Sequence, residues 1–204
     1  MKRGLSSAVI TLGGKGTRLN PVTKEIPKSL WLIDGINTLE RIIINLNEQG
    51  IKNFIWLLGY KYNLFLSESK RLADKYNIKI KIHKEEKILG EAGALLEIIS
   101  QLDEIFIFVN GDIIFDIDIK RLFKFHLNKN SDITFVTHLT NHPNDSDCIS
   151  EKENLSINKY KFKGDLQFNN NNMYLGNAGI AIFSKKIVEN LKNIYTNNEQ
   201  LSLF

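Results

Sequence analysis

Gly13 to Lys28, GGKGTRLNPVTKEIPK, directly behind the apolar run Ala8-Val9-Ile10-Thr11-Leu12, constrains the fold more than any other stretch of the chain. The apolar run has the length and the β-capable residues of a buried strand, and the glycines after it demand a tight turn with few side chains. Glycines at the carboxyl end of a strand let backbone N–H groups come close to an anion, and Lys15, Arg18, Lys24 and Lys28 add positive charge. A phosphate-cradling loop is the expectation; the alternative is an ordinary glycine turn with a solvated basic face. Two common phosphate loops are excluded. The dinucleotide fingerprint G-x-G-x-x-G lacks its third glycine, because Leu19 stands there, and Lys15 is followed by Gly16 instead of the serine or threonine of a Walker loop.

Downstream, strand and helix signals alternate. Ser29 to Ile33 reads as a short extended segment closed by the turn signal Asp34-Gly35. Leu39, Ile42, Ile43 and Leu46 recur at helical spacing, with Thr38 as the expected cap and Gly50 as the stop. Phe54 to Leu58 is a buried strand broken by Gly59, and a helix over about Tyr62 to Tyr76 follows. Ile78, Ile80 and Ile82 alternate with lysines, as a half-exposed strand near an edge would, whereas Ile105 to Val109 is apolar throughout and belongs inside a sheet. Past Asp132 the pattern changes: Ile133 to Leu139, Leu155 to Phe162 and Ala178 to Phe183 read as strands with little helix between them. The prediction is an α/β fold, a mixed and mostly parallel sheet flanked by helices, with ligands beyond the carboxyl ends of its strands. One domain is expected over 1–204, with a nucleotide-binding half, 1–130, and a strand-rich half, 131–204.

Composition removes several classes of function. At 204 residues and 43% hydrophobic content the chain can bury a sizeable core. Its net charge of +4 comes from lysines interleaved with acids, so no continuous basic face and no nucleic-acid partner are expected. Cys148 is the sole cysteine, which excludes an intrachain disulfide and a cysteine-built metal site and is compatible with a cytoplasmic location. No signal peptide is expected, and no apolar run approaches the roughly 20 residues of a membrane helix. The histidines His83, His126, His138 and His142 lack metal-ligand spacing, and no nucleophile motif points to covalent catalysis.

Three further stretches carry chemistry on their residues alone. Asn110-Gly111-Asp112 follows the most apolar strand, so Asp112 projects from the sheet edge that carries the glycine loop; it either holds a divalent cation or completes a strand-end turn. Leu89-Gly90-Glu91-Ala92-Gly93-Ala94-Leu95 starts a helix with small residues, and Glu91 either gains from the helix dipole or accepts from a base amino group or ribose hydroxyl. Asn177, within Gly176-Asn177-Ala178-Gly179, can donate and accept as hydroxyl recognition requires, or can sit in a β-bulge. Asp118 is placed to cap the helix containing Leu122 and Phe123.

The spacing G-G-x-G-T-R-L-x-P-x-T-x-x-x-P-K resembles the sugar-phosphate nucleotidyltransferases, which join a nucleoside triphosphate to a sugar 1-phosphate. The resemblance implies a Rossmann-like core whose later strands build the sugar pocket. It implies that Gly13, Gly14 and Gly16 wrap the triphosphate with Leu12, Lys15 and Thr17 beside them, that Arg18 neutralises the departing pyrophosphate and Lys28 holds the reacting phosphates, and that Asp112 binds Mg²⁺. Residues 89–95 resemble the family's second motif, giving Gly90, Glu91 and Gly93 to the nucleotide, with glutamate where threonine is usual. Asn110, Gly111, Asn177 and Gly179 fall to the sugar phosphate, and Asn141 to Asp147 resembles the heptose- and mannose-phosphate branch, which makes GTP the first guess for the donor. Lys159-Tyr160-Lys161-Phe162-Lys163 lacks the family's Glu-Lys-Pro, leaving Lys161 either a substrate lysine or part of a solvated face. Beyond Gly179 the acids are Glu189 and Glu199, with no Asp-x-Gly segment to supply the family's second metal ligand. With the apolar Leu201-Ser202-Leu203-Phe204, this predicts a shortened carboxyl-terminal part and pairing with another copy or chain there. A catalytically silent nucleotide-sugar-binding subunit and a cytidylyltransferase acting on phosphocholine are the alternatives.

Overall fold

The computed structural model describes residues 4–14, 25–59, 61–85, 90–142, 147–163 and 174–194, and of residues 90, 91, 193 and 194 it describes the backbone. They fall into two compact units, one drawn from Met1–Thr134 and Ile182–Leu203, the other from Phe135–Ala181.

The first unit is built on four parallel strands: β1 (Ser7–Thr11), β4 (Asn53–Leu58), β5 (Lys79–Lys84) and β6 (Ile105–Asn110), in the order β5-β4-β1-β6. Position in the sheet follows the hydrophobic pattern. Val9, Ile10, Phe54, Trp56, Phe106, Ile107 and Phe108 are buried, because strands covered on both faces need apolar side chains on both. β5, with isoleucines alternating with lysines, pairs only with β4 among the described strands and takes the edge. Between β1 and β4 lie a small hairpin, β2 (Leu32–Ile33) and β3 (Ile36–Asn37), and helix α1 (Thr38–Glu48). The hairpin turns on Asp34 (φ 52°) and Gly35 (φ 77°), the consecutive positive angles of a tight two-residue turn. Ser29 and Leu30, at the start of the segment expected to be extended, instead lie in a 3-10 turn over Lys28–Leu30, and only Leu32–Ile33 pairs as strand. The α1 cap is Asn37, one residue before the expected Thr38: its side chain accepts from Glu40 N at 2.7 Å.

Helix α2 (Tyr62–Tyr76) links β4 to β5, α3 (Gly90–Glu97) precedes β6, and α4 (Ile119–Lys129) follows it, capped by Asp118 at 2.9 Å from Arg121 N. Phe183 stacks on Phe106 at 5.7 Å, and α5 (Lys185–Ile194) packs near α3. His126 is buried in this unit with Thr134 Oγ1 at 2.9 Å and Ser184 Oγ at 3.2 Å; burial pushes its imidazole below the ordinary range, against the opposing pull of Asp132.

The second unit is antiparallel where its pairing is defined. β8 (Cys148–Glu151) lies between β9 (Ile157–Lys161) and β10 (Tyr174–Ser184), with a bulge at Ser150/Glu151, and β7 (Ile133–Thr140) also pairs with β10. The chain passes along β10 from this unit into the first. Among the described residues no helix is long and apolar enough to cross a membrane.

Candidate functional site

Because β1, β4, β5 and β6 are parallel, the residues following them emerge on one edge: Leu12-Gly13, Gly59, Glu85 and Gly111-Asp112. The central closure is between β1 and β6. Thr11 Oγ1 donates to Asn110 Oδ1 at 3.3 Å, and Gly111 N donates to Thr11 O at 2.9 Å. A β-carbon on Gly111 would lie 2.3 Å from Leu12 Cδ2 and 2.6 Å from Thr11 O, so only glycine lets the chain pass under Leu12 and turn outward. Asp112 is thereby delivered to solvent just beyond the edge. Sequence reading gave Asn110 and Gly111 to substrate; the contacts they make here close the two strands.

Lys28 meets Asp112 there, Nζ to Oδ2 at 3.0 Å, with side chains 42% and 50% exposed. Its 3-10 turn is held by Leu30 N on Pro27 O (2.9 Å), Trp31 N on Lys28 O (3.1 Å) and the Trp31 indole on Ile26 O (3.0 Å), while Ser29 is buried. A residue at one end of the glycine-rich signature and a residue 84 positions later thus form one charged pair at the sheet edge.

Glu85 also stands at this edge, although the sequence pattern does not single it out. Its Oε2 lies 3.0 Å from where a Gly13 β-carbon would be and 3.5 Å from that of Gly59, so the carboxylate rests against both glycines. Its signal in the sequence is slight: it is the first residue past a strand whose carboxyl end aligns with those of β1 and β6. Gly93 is buried in α3, and Gly90 opens that helix together with Glu91. Lys15, Gly16, Thr17 and Arg18 lie outside the described residues, as do residues 143–146 and 195–204.

In the second unit, Asn177 is engaged by its own surroundings. Its Oδ1 accepts from Gly179 N at 2.9 Å, its Nδ2 donates to Tyr160 Oη at 3.2 Å, and its backbone N donates to Asp147 O at 2.8 Å. Tyr160 Oη in turn donates to Asp147 Oδ2 at 3.0 Å, and Asp147 Oδ1 accepts from Lys163 N at 2.7 Å. Gly179 has φ 73°, a left-handed conformation that suits glycine. Lys161 is half-buried on β9 and pairs in register with Cys148.

Among the described residues no group of three acids, histidines or cysteines could hold a metal. Asp112, half exposed at this edge, offers one carboxylate that could take a position on a cation such as Mg²⁺, which binds through few carboxylates and keeps phosphate oxygens and water in its shell.

The family model for nucleotidyl transferase matches residues 7–202. The chain belongs to the nucleotidyl transferase family. It is similar to the mannose-1-phosphate guanyltransferase of Aspergillus oryzae, 28% identical over 95% of this chain and 53% of that protein. It is also similar to the D-glycero-alpha-D-manno-heptose 1-phosphate guanylyltransferase of Campylobacter jejuni, 39% identical over 56% of this chain and 51% of that protein. The chain thus spans about half the length of the curated relatives it matches. Among solved structures it resembles HddC from Yersinia pseudotuberculosis complexed with GMP-PN: TM-score 0.79, 26% identity, 98% of this chain and 85% of that one. The expected fold, a mixed sheet flanked by helices, is the fold of this family.

Proposed function

We propose that the chain transfers a nucleotidyl group, from GTP before other donors, to a sugar 1-phosphate. The observation that carries this reading is the Lys28–Asp112 pair, 3.0 Å apart at the sheet edge that also bears Gly13 and Gly14. In the reaction a phosphate oxygen of the sugar 1-phosphate bonds to the α-phosphorus, the bond from that phosphorus to the bridging oxygen breaks, and pyrophosphate leaves with the electron pair. No acid or base is required; positioning and charge neutralisation are, which matches a site rich in glycine and cations. Lys28 would hold the reacting phosphates and Arg18 the departing pyrophosphate. Mg²⁺ held by Asp112 would supply neutralisation of the phosphate oxygens.

Preference for GTP rests on the chemistry of two acids and on what the relatives are called. A carboxylate suits guanine, whose edge presents a ring N–H and an amino group side by side, and Glu85 and Glu91 are the two candidates. Asn177, Gly179 and Lys161 would take the sugar phosphate. A second reading is a nucleotide-sugar-binding subunit that does not turn over, favoured by the missing Glu-Lys-Pro ahead of Asn177. A panel of GTP, CTP, UTP, dTTP and ATP against mannose, heptose and glucose 1-phosphates and phosphocholine, scored by pyrophosphate release, separates these. Release with GTP and a hexose or heptose 1-phosphate is expected. Nucleotide binding with no release from any pair would replace transferase by subunit.

A further inference from the structure

The peptide that leads into Lys28 is held at each of four successive carbonyls. The Ile26, Pro27 and Lys28 oxygens take donors from within the same short segment: the Trp31 indole, Leu30 N and Trp31 N. The Glu25 oxygen takes its donor from elsewhere in the fold, the Lys61 ammonium, 36 residues away. Lys61 stands just past the carboxyl end of β4, on the edge that carries Gly13, Glu85 and Asp112, and its own carbonyl accepts Leu64 N in the first turn of α2.

Lysine is poorly suited to the backbone task at this position. Lys61 has φ 54° and ψ 35°, the left-handed conformation that glycine or asparagine adopts readily, and it caps α2 without any side-chain cap bond, where serine, threonine or aspartate would supply one. A strained residue at the edge of a site, whose side chain reaches across to the segment bearing a charged site residue, points to a function for the side chain. The strain holds the Cα where the stem can span to Glu25, and the ammonium satisfies a carbonyl that the 3-10 turn itself leaves over.

We propose that Lys61 is a positioning residue for the transfer reaction: its ammonium, held on the Glu25 carbonyl, sets the turn that presents Lys28 to Asp112. The proposal rests on nucleotidyl transfer as the function. Lys61 does not touch the reacting atoms. Loss of its tether should leave nucleotide affinity nearly intact and misdirect Lys28, so the effect falls on kcat.

The test uses Lys61→Gly, which relieves the left-handed backbone while removing the ammonium, beside Lys61→Arg, which keeps a donor of similar reach. Thermal unfolding of Lys61→Gly should occur at or above the wild-type temperature. Its kcat for pyrophosphate release should fall about tenfold to a hundredfold, the scale on which small misplacements act, with KM for GTP changed by less than about threefold. Lys61→Arg should recover most of that loss. Wild-type kcat in a stable Lys61→Gly would overturn the positioning role, as would a loss that Arg leaves unrepaired. If the wild-type chain itself releases no pyrophosphate, the transferase reading fails separately, and the positioning is then read by NMR. Backbone amide shifts of Lys28, Ser29 and Asp112 should move in Lys61→Gly and return in Lys61→Arg; unmoved amides would overturn the proposal without any activity.

Discussion

Two ion-pair systems in the first unit are built in opposite ways. Glu40, in the first turn of α1, is 4% exposed and takes Arg71 at 2.5 Å, Lys75 at 2.9 Å and the Tyr76 hydroxyl at 2.7 Å; Arg71 also binds Glu68, which accepts from the α1 cap Asn37 at 2.6 Å. Burial alone would raise the Glu40 carboxyl, yet these three donors outweigh it and hold the group down to about 2. The Lys28–Asp112 pair, by contrast, has both side chains nearly half in water. An exposed pair of this kind contributes roughly 0–1 kcal/mol, so exchanging Lys28 for a cation, or Asp112 for a phosphate, costs little. A strongly shifted carboxylate therefore marks the joint between two helices here. The charges that the proposed reaction would use are ones that the fold leaves only loosely committed.

The largest effect is expected at Lys28. Lys28→Met should reduce turnover about a hundredfold or more, the scale for losing one transition-state charge contact, while chemical denaturation stays within about 0.5 kcal/mol of wild type. A large loss of stability would mean that the pair is structural after all. Glu40→Gln should show the reverse, a loss of about 2–3 kcal/mol in denaturation with kcat nearly unchanged, because it leaves the Arg71 and Lys75 cations without their carboxylate. Titration sharpens this. The folded-state carboxyl lies near 2 against an ordinary 4.5, so its stabilisation is complete above the unfolded-state value and is lost as pH falls from about 4.5 through about 2. That shift corresponds to about 3 kcal/mol, and the gap between wild type and Glu40→Gln should close over this window.

Gly111→Ala belongs to both sides of the comparison. The added methyl meets the Thr11 carbonyl, which cannot swing away as a side chain would, so about 1–3 kcal/mol of stability should go together with Asp112 alignment. Differential scanning calorimetry and pyrophosphate release on one preparation should fall together; loss of only one would separate strand closure from Asp112 delivery. The smallest effect is expected at Glu91→Thr, which should change preference among nucleotides by about 1 kcal/mol with little change in maximal rate. Equal selectivity in both proteins would leave Glu91 as a helix terminus and move base reading to Glu85.

What the sequence discloses follows the range of the interactions concerned. The all-apolar character of β6 and the alternation in β5 act over a few residues, and each is borne out in the element it predicts; the glycine signature is as local, and the family it resembles is the one to which the chain belongs. Asp118 as a cap is equally local. Asn37 and Thr38 are both competent caps, and the choice turns on Glu68, 31 positions away, which binds the Asn37 amide. Glu40 reads as an exposed first-turn acid, because Arg71, Lys75 and Tyr76 reach it only after α2 has packed. Glu85 stays hidden for the same reason, because it rests on Gly13 and Gly59, which follow two other strands, whereas Asn177 is legible as a polar residue but its partners Tyr160 and Asp147 come from neighbouring segments.

On the proposed transferase reading, Asp112 is the loosely held carboxylate on which a metal-bound nucleotide would dock. Isothermal titration of Mn²⁺ into the protein with a non-hydrolysable GTP analogue present tests it without depending on turnover. Wild type should bind the cation with the nucleotide, and Asp112→Asn, folded and near-isosteric, should lose that binding. Equal Mn²⁺ affinity in the two proteins would show that Asp112 does not hold the metal-bound nucleotide.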